Sequence, residues 1–145
     1  MPELFPTFEM PDIVENDSPN MVRYPESPLF DFQMGEFVSD GAGRYVMADG
    51  HTAWAQWCKK AVLTERFAFL AYSTDYGSEI QAALRQPTRA AVQSELERTI
   101  TETLLIDPRT QAVRDFVYRF EGDSVWVDLT VVPVIGQDQR LEVKI

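Results

Sequence analysis

The stretch Leu104-Leu105-Ile106-Asp107-Pro108-Arg109-Thr110-Gln111-Ala112-Val113-Arg114-Asp115-Phe116 marks the change from one backbone period to another. Before it, in TRAAVQSELERTITETLLI, Val92, Leu96, Ile100 and Leu104 recur every fourth residue and make one apolar stripe of a long helix. Glu95, Glu97, Arg98 and Glu102 lie off that stripe. After it, in AVRDFVYRF, Phe116, Tyr118 and Phe120 alternate with Asp115, Val117 and Arg119, the period of a half-buried strand. Proline disfavours helical backbone at the residue before it, so the helix ends at Ile106 or Asp107. An acid at that position faces the negative end of the helix dipole. A helix stop and turn account for Pro108 and leave Asp107 weakly explained. A compact loop of one acid and one base, stiffened by proline, can present hydrogen-bonding groups to a partner at low entropic cost. On either account Asp107 and Arg109 are expected to be exposed.

Further strands follow this junction. VWVDLTVVPV sets Val125, Val127, Leu129 and Val131 against Trp126, Asp128 and Thr130. RLEVKI sets Leu141, Val143 and Ile145 against Arg140, Glu142 and Lys144. The short turns EGDS and IGQDQ connect them into an antiparallel three-stranded meander. As the last strand, RLEVKI is expected at a sheet edge. There its backbone groups accept a strand from another chain, or its charged residues protect the edge; the pattern is compatible with both.

Toward the N-terminus, DGHTAWAQWCKKAVLT reads as a helix capped by Asp49 or Thr52, with Ala53, Trp54, Trp57, Ala61 and Val62 on its apolar face. ERFAFLAYSTDYG is an aromatic-rich bend, and SEIQAALR a short helix ending before Pro87. Ser78 and Gln81 have the spacing of a capping box. LFDFQMGEFV alternates as a strand from Leu29, SDGAGR turns, and YVMA returns as the second strand of a β-hairpin. The expected fold class is α+β: a single domain over residues 29–145 with an N-terminal β-hairpin, two or three helices and a C-terminal three-stranded antiparallel sheet.

Residues 1–28 differ. They hold Pro2, Pro6, Pro11, Pro19, Pro25 and Pro28 of the nine prolines, which excludes a helix or central strand over their length. Acids outnumber the single Arg23, yet Leu4, Phe5, Phe8, Met10, Met21 and Tyr24 are spaced through the segment. It reads either as a flexible tail or as an extended arm that orders on a partner, with Phe5, Phe8 and Tyr24 as anchors.

The 145 residues carry a formal net charge of −10, which disfavours phosphate backbones and anionic lipid as partners. No apolar run is long enough for a membrane helix, and the N-terminus lacks the pattern of a signal peptide, so folding in a cytoplasm is expected. The lone Cys58 reads as a packed thiol. His51 is the single histidine and suits a surface or capping role. Neither a histidine–cysteine metal set nor a phosphate loop is present, so no metal or cofactor is expected. An acidic chain always offers carboxylate pairs, so an acidic glycan hydrolase stands as one alternative, and a generic adaptor domain as another.

Over roughly Leu29 to Ile145 the order of elements, with the bend TDYGSEI and the Asp-Pro-Arg signature between helix and strand, resembles the baseplate wedge, or sheath-initiator, proteins of contractile phage tails and related injection systems. The family's signature is Glu-Pro-Arg; here the acid is one methylene shorter. The resemblance implies a non-enzymatic structural part linking the wedge core bundle to the first sheath ring. It implies that Asp107, Pro108 and Arg109 bind a wedge partner, and that the C-terminal sheet pairs with sheath arms. Arg140, Leu141, Glu142, Val143, Lys144 and Ile145 are the candidate pairing strand, with VWVDLTVVPV also placed for it. It further implies six copies per baseplate, a place in a phage tail or tail-like particle assembled in the host bacterial cytoplasm, and other wedge proteins and sheath as partners. The arm is outside the family's core pattern and is expected to reach a neighbouring baseplate, tube or hub protein.

Overall fold

A computed structural model describes residues 21–145. The strands β1 (Ser27–Pro28), β2 (Phe30–Asp31), β3 (Glu36–Phe37) and β4 (Met47–Ala48) come first, followed by α1 (Gly50–Leu63), α2 (Ile80–Leu84) and α3 (Arg89–Leu105). The chain ends in β5 (Thr110–Glu121), β6 (Ser124–Pro133) and β7 (Gln139–Lys144). The last three form an antiparallel sheet in the order β5-β6-β7. The expected α+β class and the C-terminal meander are both present.

The helices cover one face of that sheet. α3 packs over β5, α1 over β7, the two touch each other, and α2 packs on α3. The stripe Val92, Leu96, Ile100 and Leu104 is buried throughout. It meets Val125, Val127, Leu129 and Val131 of β6, Leu141 and Val143 of β7, and Trp54, Cys58 and Val62 of α1 in one core. Burial of this kind, not helix propensity, supplies most of the stability of such helices. Asp49 caps α1 by accepting from the Thr52 amide at 2.8 Å, and Thr88 caps α3 by accepting from Ala91 at 3.1 Å.

The N-terminal hairpin differs from its expected form. The alternating run from Leu29 to Val38 is not one strand. Asp31 Oδ1 accepts from the amides of Gln33 and Met34, and Gly35 adopts φ 74°. An aspartate that bonds its own backbone two residues on, followed by a left-handed glycine, is a turn device. The run therefore folds back on itself, with Phe30 opposite Phe37. This small hairpin sits inside a larger one, in which Ser27–Pro28 pairs with Met47–Ala48.

The capping box at Ser78 does not form either. The N-cap of α2 is Glu79, without a side-chain cap bond. Ser78 Oγ instead donates to the Val62 carbonyl at 2.6 Å, satisfying one of the open carbonyls at the end of α1. The Glu79 amide donates to Thr99 Oγ1, and the Thr103 hydroxyl shares its proton between the Thr99 carbonyl at 2.7 Å and the Gly77 carbonyl at 3.0 Å. Two threonines of α3 thus fasten the end of the aromatic bend. Gly77 is required there: its φ is 103°, and a Cβ would lie 2.9 Å from the Thr64 carbonyl oxygen.

Candidate assembly interface

The junction after α3 is built from the inside. The Asp107 carbonyl accepts from the Thr110 amide at 3.0 Å, closing a β-turn with Pro108 at its second position. Asp107 Oδ1 accepts from the backbone amide and the Nε of Arg109, each at 2.9 Å, and Oδ2 accepts from Nη2 at 2.6 Å. The guanidinium lies over the Trp57 ring, 5.8 Å from its centroid, a cation–π arrangement. The Arg109 carbonyl accepts from Tyr24 Oη and from the Val134 amide, each at 2.9 Å. Trp54 Nε1 donates to Thr110 Oγ1 just beyond.

Exposure is therefore the reverse of what the sequence suggested. Asp107 and Arg109 retain 7% and 13% of their side-chain surface. The acid at the helix end is tolerated because a guanidinium two residues later neutralises it in place. The paired carboxylate in turn holds Arg109 more firmly protonated than an ordinary arginine, against the opposing effect of burial. What the junction presents outward is apolar. Pro108 is exposed, Leu105 and Ile106 keep 45% of their surface each, and Val134 and Ile135 are exposed beside them through their links to Arg109 and Tyr24.

Tyr24, expected as an anchor on a partner, is bound to its own chain. Its hydroxyl bridges Arg109 and the Ile135 amide, and its ring meets Trp54 edge-on. No pattern in the sequence foretold this long-range tie. Phe5 and Phe8 lie outside the described residues.

β7 is an edge strand, as expected. Val125 and Ile145 exchange both backbone hydrogen bonds, at 3.1 and 2.9 Å. Bonded and non-bonded pairs alternate along an antiparallel ladder. Val127↔Val143 and Leu129↔Leu141 thus continue the bonded set, and Trp126↔Lys144, Asp128↔Glu142 and Thr130↔Arg140 are the non-bonded pairs. The amides and carbonyls of Arg140, Glu142 and Lys144 point off the sheet. Gln139 Nε2 already donates to one of these outward carbonyls, that of Arg140, at 3.0 Å. A cleft of about 360 Å³ opens between this edge and α1, lined by Thr52, Gln56 and Lys59. β6 has a strand on each side, so it cannot accept another.

The other edge is irregular. β5 shifts register between Arg114 and Val117, and Asp115 sits at φ 59°. Such a bulge interrupts a strand edge. On the face away from the helices, Arg119 reaches Glu142 at 3.2 Å and Asp128 at 3.8 Å, while Arg119 and Lys144 lie over the Trp126 ring. These side chains hold the outer face of β7 in register with its neighbours.

Cys58 is fully buried, and burial, followed by the nearby Asp107 charge, pushes its thiol up to about 12. His51 Nε2 donates to the Gln137 carbonyl at 2.7 Å, a surface tie. Among the described residues no cluster of three or more metal-binding side chains occurs, and no helix is long and apolar enough to cross a membrane.

Residues 27–134 match the family described as contractile injection system sheath initiator. The chain is also 31% identical over 147 residues to the phage-like element PBSX protein XkdS of Bacillus subtilis strain 168, a match spanning 93% of this chain and 98% of that protein.

Proposed function

The chain belongs to the sheath initiators of contractile injection systems, and from that premise we propose that it joins the wedge core of a tail baseplate to the first ring of sheath subunits. The family is one of structural tail components, which sets aside the hydrolase alternative. The observation that carries the proposal is the outward register of β7. Arg140, Glu142 and Lys144 point backbone donors and acceptors off a regular strand edge that no other strand of the described residues covers, with the Arg140 carbonyl met by the Gln139 side chain. Strand addition there gives affinity through main-chain bonds and register through alternate side chains. The facing cleft leaves room for the incoming side chains.

The wedge side of the link is the Asp107-Pro108-Arg109 loop. The buried ion pair sets its shape, and Pro108, Leu105 and Ile106 supply the contact surface. A loop already rigid before docking loses little entropy when it binds.

The test is co-expression of a tagged chain with the sheath and wedge proteins of its producer, followed by affinity capture and mass spectrometry. Sheath and wedge subunits are expected in the eluate. Sheath that polymerises without retaining the chain would remove the linking role.

A further inference from the structure

The nested hairpins and α1 enclose a second depression, which shares Trp57 with the junction and meets the β7 cleft at Phe32 and Gln56. It holds about 380 Å³, and its walls are Phe30, Phe32, Phe37 and Trp57, with Lys60 at one side. Lys59 lies over the Phe32 ring, 4.9 Å from its centroid. Lys59 and Lys60 are two of only three lysines in the chain, the other being Lys144. α1 contains no acid from Gly50 to Leu63, and neither lysine meets a carboxylate in any ion pair among the described residues. An aromatic groove with a cationic rim is thus set into a chain whose net charge is −10.

The matching chemistry is present in the same polypeptide. Residues 1–20 carry Glu3, Glu9, Asp12, Glu15 and Asp17 and no lysine or arginine. Phe5 and Phe8 fall between Glu3 and Glu9, so two aromatic rings are flanked by carboxylates over a short span. The described chain begins at Met21, close to where Tyr24 is held at the start of α1. The Tyr24 carbonyl oxygen would lie 2.2 Å from a Cβ placed on Gly50. The groove runs along the same helix from Ala53 to Lys60, about 10 Å at the helical rise. Twenty residues can span up to about 66 Å, so reach does not limit the contact.

We propose that this groove is the seat of the chain's own segment Met1–Asn20, with the Phe5 or Phe8 ring against Trp57 and Phe30 and the flanking carboxylates toward Lys59 and Lys60. Ring burial supplies most of the attraction, and the lysines select an acidic segment over a neutral one. The proposal does not depend on the tail role.

The full-length chain with p-benzoylphenylalanine in place of Phe8 tests it directly. Irradiation followed by peptide mapping is expected to give crosslinks within one chain, to residues 30–37 or 53–60, in a yield independent of dilution. The Lys59→Glu, Lys60→Glu double variant should lower that yield about threefold, the size of a few exposed charge interactions. Crosslinks to the groove that join two chains and fall with dilution would overturn the assignment in favour of a second copy's segment. Crosslinks elsewhere, or none, would overturn it altogether.

Discussion

Asp107 accepts three hydrogen bonds from Arg109, two residues further on, and both side chains are withdrawn from solvent. The pair closes the turn by which α3 hands the chain to β5. The carbonyl of Arg109 then receives Tyr24 from one side and Val134 from the other. With Trp57 of α1 under the guanidinium, a short loop in sequence is a meeting point of four separate segments.

Removing one partner should destabilise the monomer. Asp107→Ala or Arg109→Ala leaves a buried charge unpaired, at a cost of about 3 kcal/mol. The double variant should lose less than the sum of the singles, since the second change removes the charge the first one stranded. Urea unfolding of the four proteins measures this; additive losses would mean the two groups act independently. Asp107→Glu should keep the guanidinium contact but weaken the bond to the Arg109 amide, costing about 1 kcal/mol.

Two prolines one residue apart should separate folding from assembly. Glu142→Pro removes an amide that points off the sheet, a place where edge strands tolerate proline. Val143→Pro removes one that bonds to β6. The first variant is expected to keep a thermal midpoint close to the parent and lose sheath capture. The second should lose stability itself. Equal sheath capture by Glu142→Pro and the parent would take β7 out of the interface.

Ser78→Ala should cost about 1–3 kcal/mol, because it strands the buried Val62 carbonyl at the end of α1. Gln81→Ala, at an exposed position, should change stability by less than about 0.5 kcal/mol. A capping box would have made both changes similar. Denaturant midpoints distinguish the two arrangements.

Alkaline pH should weaken the fold through Cys58. Its thiol ordinarily ionises near 9.0 and is raised to about 12 by burial. The unfolded chain therefore loses this proton first. Stability is unaffected below pH 9 and falls progressively between pH 9 and 12. Burial shifts Tyr118 and Tyr76 in the same direction, so they add to the loss at the upper end of that window. Unfolding midpoints across this range, with Cys58→Ala as the control, check the sign. Iodoacetamide near neutral pH should label Cys58 only in denaturant.

Local periodicity determined most of the architecture. The four-residue stripe of α3 and the two-residue alternation of β5, β6 and β7 are each written by one face meeting one core, so the sequence alone carried the helix, the sheet and its edge. It also led to the sheath-initiator family, through the Asp-Pro-Arg signature in its place between helix and strand. Short-range rules failed where a polar side chain had a choice of partners. Asp31 bonded its own turn and broke an alternating run, and Ser78 served α1 instead of α2. Exposure of the junction was also decided only in three dimensions. Asp107 and Arg109 look like solvated charges in any linear pattern, but folding places Trp57, Tyr24 and Val134 around them. A backbone period records which face of an element is apolar. It carries no information about which distant residues will close over a loop, because those contacts come from the packing of elements far apart in the chain.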